Sequence, residues 1–202
     1  MSRFIILISS LILLSSCSIS INSTNYKDLT QSEKALYAPF DAEITKAPFR
    51  YTDSFKVYEI DYNSIREIAR TSNKKVWLHF FAPWCKGISC ENLNYVNEIG
   101  NKYSDSLTLI FVATAYDYPN IRDKMKGSKV TRPVYVLDGN VYGSNISGSQ
   151  KKFYQDLTQA SRRKYSDDYL LNEDGTLIYF KPFKLPVDSF AVKLDALVSN
   201  TN

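Results

Sequence analysis

The stretch "HFFAPWCKGISCENL", His79 to Leu93, decides how this chain is read. An apolar run ends in Ala82-Pro83-Trp84-Cys85, a second cysteine follows at Cys90, and the residues beyond suit a helix. Four residues separate the two cysteines. On a regular helix, residues three apart have Cα atoms about 5 Å apart, and residues five apart about 8.6 Å. A disulfide tolerates no more than about 7 Å. Cys85 and Cys90 therefore cannot share one regular helix and be bonded. Either the first turn is not helical or the pair is open. "KGIS" permits the first option: Gly87 frees the backbone and Ser89 is a candidate helix cap. An oxidised pair thus predicts non-helical residues 86–88 and regular helix from Ser89 or Cys90, with Cys90 stabilised by the helix dipole.

The chain opens "MSRFIILISSLILLSSC", one Arg ahead of an apolar, Ser-rich run. Residues 1–16 read as a secretory signal peptide, too short to span as a mature helix. Leu14-Ser15-Ser16-Cys17 resembles a bacterial lipobox, which implies cleavage before Cys17 and acylation of that residue. Of three cysteines, one becomes an anchor and two a pair. An exported pair sits where a disulfide can persist. The expected location is the cell envelope, held by lipid. Ser18 does not resemble the Asp signal for inner-membrane retention, which favours the outer membrane where one exists. Residues 17–50 read as lipidated N-terminus and tether, "SISINSTNYKDLTQSEK" being polar and aperiodic. Residues 51–202 make one domain of ordinary size. The net charge of +4 is spread along the chain and points to no nucleic acid.

Within the domain, "FKVYEI" (Phe55–Ile60) alternates like a strand. "YNSIREIARTSNKK" is helical, with Asn63 or Ser64 as cap. "VWLHFFA" (Val76–Ala82) is nearly all apolar, as a central strand buried on both faces should be, and "LTLIFVATA" (Leu107–Ala115) reads as a second buried strand. "YPNIRDKMKG" is a short helix from Pro119 to Gly127. "RPVYVLDGN" gives a strand and turn. "SGSQKKFYQDLTQASRRKY" is a helix capped by Ser147 or Ser149. "DYLLNEDGTLIYF" (Asp168–Phe180) is a hairpin turning at Asp174-Gly175. "PVDSFAVKLDALV" closes the chain as a helix. The alternation predicts an α/β plan with a mixed sheet. "SRRKY" and "KMKGSK" read as solvated basic helix ends, and Phe153, Tyr154 and Tyr165 as core and rim.

"VWLHFFAPWC" and "YLLNEDGTLIYF" together resemble the thioredoxin fold, in particular its exported, membrane-tethered redoxins, from about Phe55 onward. The resemblance implies a thioredoxin-like three-layer fold, with a central mixed sheet flanked by helices. It also implies a thiol–disulfide oxidoreductase in which Cys85 attacks, Cys90 resolves and Trp84 shields one side. A thiolate is the nucleophile in exchange, and a position near a helix N-terminus lowers a thiol's pKa. His79 falls where thioredoxins carry a buried proton-relaying Asp. A His there suits a relay near neutral pH or a satisfied place in the core. The family sets a cis-Pro before the strand of its final hairpin, to hold the partner's backbone. Here Ser166 or Asp167 stands there, unless Arg132-Pro133 opens a hairpin of its own. The partners implied are exported protein thiols or disulfides, or an envelope redox partner; no cofactor is implied.

Two other functions compete. A binding or assembly module could carry Cys85–Cys90 as a structural disulfide. A peroxidase like peroxiredoxin Q shares the cysteine spacing, but where that family places a Thr or Ser three residues before the attacking Cys, this chain has Ala82. Two thiols and one distant His supply too few soft ligands for a specific metal site.

Overall fold

The computed structural model describes residues 25–45, 48–86, 90, 92–143, 145–160, 166–182 and 185–198. The leader, Cys17, the Gly87–Ser89 part of the cysteine loop and the "SRRKY" cluster with Tyr165 lie outside these residues. Among the described residues, no helix is long and apolar enough to cross a membrane.

Seven strands form one sheet in the order β1-β2-β5-β4-β3-β6-β7. They are β1 (Tyr37–Ala38), β2 (Val57–Ile60), β3 (Lys75–Phe81), β4 (Leu107–Ala113), β5 (Val134–Leu137), β6 (Asp168–Leu171) and β7 (Leu177–Phe180). β1 to β5 run parallel, while β6 lies antiparallel to β3 and to β7. Among the described residues the α-helices are α1 (Gln31–Lys34), α2 (Tyr62–Ser72), α3 (Leu93–Lys102), α4 (Tyr118–Lys126), α5 (Gly139–Tyr142), α6 (Ile146–Thr158) and α7 (Val187–Val198). This is the expected mixed α/β, thioredoxin-like architecture.

β3 and β4 are central because both their faces are apolar. Val76, Leu78 and Phe80 enter one core with Ile65 and Ile68 of α2 and Phe153 and Leu157 of α6. Trp77 and Phe81 enter the opposite core with Leu93 and Val96 of α3, Ile121 and Met125 of α4, and Phe190 of α7. Side chains on a strand alternate in direction, so a run apolar at every position fills both layers. Phe153 and Tyr154 are core residues. The terminal hairpin closes on Gly175, whose φ of 87° needs a residue without Cβ.

Several local expectations are corrected. Asp61, not Asn63 or Ser64, caps α2, accepting from the Ser64 amide at 2.8 Å. Asn145, not Ser147 or Ser149, caps α6, accepting from the Gly148 amide at 2.5 Å. In each case the carboxylate or amide sits a few residues earlier and reaches the first free N–H groups. Arg132-Pro133 opens no hairpin, because β5 runs parallel between β2 and β4 and passes into α5. Part of the segment read as tether is packed structure. Leu29 and Tyr37 are buried in the core, and β1 pairs with β2.

Candidate functional site

Phe81 ends β3, and the chain turns at once. The Cys85 amide donates to the Ala82 carbonyl at 3.2 Å. Trp84, Cys85 and Cys90 are half-buried. Cys85 and Cys90 are joined in a disulfide with Cα atoms 5.9 Å apart, within the range a bridge requires. As the distance argument demands, Cys85 and Lys86 are not helical. The helix starts later than expected, however. α3 begins at Leu93 with Asn92 as cap, its Oδ1 accepting from the Asn94 amide at 2.9 Å. Neither Cys85 nor Cys90 lies in its first turn. Helix-dipole stabilisation fades within that turn, so the expected source of a lowered thiol pKa is weak here.

A different cation stands at the loop. Lys124 of α4 donates from Nζ to the carbonyls of Cys85 at 3.0 Å and Ala82 at 3.1 Å. Its ammonium lies 5.6 Å from the centre of the Phe81 ring. Lys124 is half-buried, and burial pulls its pKa below the usual lysine value. The reading of "KMKGSK" as solvated ends fails at this residue. No sequence signal marks Lys124, because its neighbour across the fold is fixed only when α4 packs beside the end of β3.

His79 is fully buried two residues before Phe81, on the same face of β3 as Trp77. The β3–β6 register sets it opposite Asp168. His79 Nδ1 lies 2.7 Å from Asp168 Oδ1, which also accepts from Trp77 Nε1 at 2.8 Å. Lys181 Nζ reaches Asp168 Oδ2 at 3.1 Å. Asp168 and Lys181 are as buried as His79. Burial pushes the Asp168 carboxyl upward, but His79, Lys181 and Trp77 together pull it further, so its pKa ends below the usual range. His79 is thus a partnered core histidine. The sequence does not mark Asp168, which opens a strand of ordinary appearance, or Lys181, which follows the hairpin directly.

Ser166 and Asp167 precede β6, and no cis peptide occurs among the described residues. Also among the described residues, no group of three or more His, Cys, Asp or Glu side chains could hold a metal.

The sheet order and its flanking helices are thioredoxin-like in fold, and the Cys85–Cys90 bridge follows a central strand. Among solved structures, the chain is similar to the thioredoxin domain of a thiol-disulfide oxidoreductase from Bacteroides vulgatus. That match has 15% identity and a TM-score of 0.47, covering 63% of this chain and 81% of that one. It is also similar to StoA from Bacillus subtilis, at 24% identity and a TM-score of 0.39, over 59% of this chain and 81% of that one. Yeast Sco1 with copper bound matches at 16% identity and a TM-score of 0.43, over 68% and 84%. No family model and no curated protein matches the sequence.

Proposed function

We propose that this chain is a lipid-anchored cell-envelope protein that performs thiol–disulfide exchange through Cys85 and Cys90. The observation that carries the reading is the disulfide itself, joining half-buried Cys85 and Cys90 just after a central strand, with Cys85 and Lys86 non-helical. In the reductive direction, the Cys85 thiolate attacks a partner disulfide. A bond forms from Cys85 Sγ to one partner sulfur, and the other partner sulfur leaves as a thiolate and takes a proton. The Cys90 thiolate then attacks Cys85 Sγ, closing the Cys85–Cys90 bond and releasing the second partner thiol. The partner gains two electrons and two protons, and the dithiol gives them up. The oxidative direction is the reverse. Trp84 would shield one side of the bridge, and Lys124 would hold the carbonyls that fix the turn. No proline precedes Tyr169 to grip a general substrate strand, so the range of exported partners is narrow. The anchor rests on the "LSSC" sequence at Cys17.

The deciding experiment is the equilibrium potential of the Cys85/Cys90 couple. Exchange proteins span about −120 to −270 mV, and structural disulfides lie below about −300 mV. A value in the first range, with mixed disulfides trapped by Cys90→Ser and none by Cys85→Ser, is the expected result. A value below the second limit with no trapped partner overturns it. Intact mass of the native protein checks the anchor, an unmodified Cys17 counting against it. A second reading, a binding module with a structural disulfide, is favoured by the late start of α3, which leaves both sulfurs outside its first turn.

A further inference from the structure

Lysines flank the bridge on both of its sides. Lys86 follows Cys85 directly and is exposed. Lys124 is held on the Cys85 and Ala82 carbonyls at 3.0 and 3.1 Å. Lys129 is exposed just beyond α4, and its amide donates at 2.6 Å to Oδ1 of Asn94, in the first turn of α3. Two lysines thus stand at Cys85, and the third is tied to the helix that follows Cys90.

The other cations of α4 are matched within the fold. Arg122 pairs with Asp123 at 3.0 Å, and Lys126 pairs with Asp53. No carboxylate pairs with Lys86, Lys124 or Lys129 among the described residues. Asp167, whose carbonyl accepts from the Phe80 amide, is not free. Glu91 follows Cys90 in the chain, and Asp188 accepts from the Tyr95 hydroxyl of α3. Counting both at full charge sets two carboxylates against three lysines and still leaves the rim positive. A disulfide is neutral, so in the bridged state the turn itself does not answer this charge. The field is turned outward, to whatever approaches the sulfurs.

We propose that the partner of the Cys85–Cys90 couple is an acidic protein segment, with Asp or Glu side chains flanking its reacting sulfur. This rests on the exchange reading above and adds the partner's chemistry to it. The partner's carboxylates face Lys86 and Lys129 at the rim, and half-buried Lys124 adds its charge from the side of α4. A lysine ammonium is a point charge on a flexible stem, so it selects a partner by sign of charge rather than by one fixed geometry. Opposite potentials speed encounter, and like charges exclude the wrong partner.

The test is exchange of the reduced full chain with three small disulfides: anionic dithiodipropionate, neutral 2-hydroxyethyl disulfide and cationic cystamine. In each reaction the dithiol gives up two electrons and two protons, the Cys85–Cys90 bond closes, and two small thiols are released. Closure of that bond is the readout. Dividing each rate by that of dithiothreitol with the same disulfide removes the leaving thiol's own reactivity. At about 0.01 M ionic strength, where the Debye length is about 30 Å, the anionic reagent should react about tenfold faster than the cationic one, with the neutral one between. Near 1 M, where that length is about 3 Å, the three should converge. Lys86→Gln combined with Lys129→Gln should cut the low-salt ratio by about threefold; both positions are exposed, so the fold is kept. Equal normalised rates at low salt, or a ratio that the double variant leaves unchanged, overturns the acidic partner and leaves exchange standing. No reaction with the neutral reagent at either salt concentration removes the exchange reading, and this inference with it.

Discussion

Two lysines near β3 are held in opposite ways. Lys181 is fully buried and faces the Asp168 carboxylate, itself shared with His79 and Trp77. Lys124 is half-buried, and it donates to the carbonyl oxygens of Ala82 and Cys85. In the first region the charges are matched inside the sheet, and the hairpin of β6 and β7 is pinned to β3. In the second, a cation that meets no carboxylate among the described residues stands beside a reducible bond. A matched buried charge resists change, since removing one partner strands the other. A cation hydrogen-bonded only to neutral carbonyls keeps its field for any anion that forms nearby, and a Cys85 thiolate is such an anion.

The largest effect should come from breaking the matched cluster. Asp168→Asn keeps the shape but leaves the Lys181 ammonium buried without its counter-charge. Urea unfolding should show a loss of about 3–5 kcal/mol. The pH dependence sharpens this. The Asp168 pKa is lower folded than unfolded, so its contribution is full above the unfolded value of about 3.9. It is lost as pH falls through the lower folded value. The variant's stability should therefore change less with pH than the wild type's in that acid window. Equal slopes would mean that Asp168 is not the anion of the cluster.

Reducing the Cys85–Cys90 bridge should cost less. The bridge spans a sequence separation of 5, and so small a loop contributes about 2 kcal/mol by chain entropy. Comparing oxidised and dithiothreitol-treated protein by urea unfolding measures it. A loss as large as that of Asp168→Asn would make the loop, not the cluster, the main structural staple.

Lys124→Met should have the smallest effect on stability, below about 1 kcal/mol, because its partners are carbonyls near solvent. Its signature is chemical. Alkylation of reduced Cys85 at neutral pH should slow by about tenfold if the ammonium favours the thiolate. Lys124→Arg should restore the rate, and Lys124→Gln, which keeps a donor but not the charge, should not. Equal rates in all three would reduce Lys124 to a packing residue.

Much of the architecture was legible in the chain. β3 and β4 stood out because strands covered on both faces carry apolar residues at every position. The terminal hairpin was marked by Asp174-Gly175, and Gly175 does adopt positive φ. The break in helix between Cys85 and Cys90 followed from helix geometry and bond length alone, and the bridge with non-helical Cys85 and Lys86 agrees with it. Such features depend on residues close together in sequence, where covalent geometry limits the choices.

What the chain could not show depends on which strands become neighbours. Asp168 meets His79 only because β6 docks antiparallel to β3 in one register, and a one-residue slip would turn it to the other face. Lys124 meets Cys85 only because α4 packs beside the end of β3. Local sequence set the strands, the hairpin turn and the constraint on the cysteine loop. Tertiary packing decided which charges face one another, since a side chain's partner across a sheet is chosen by register and not by its neighbours in the chain.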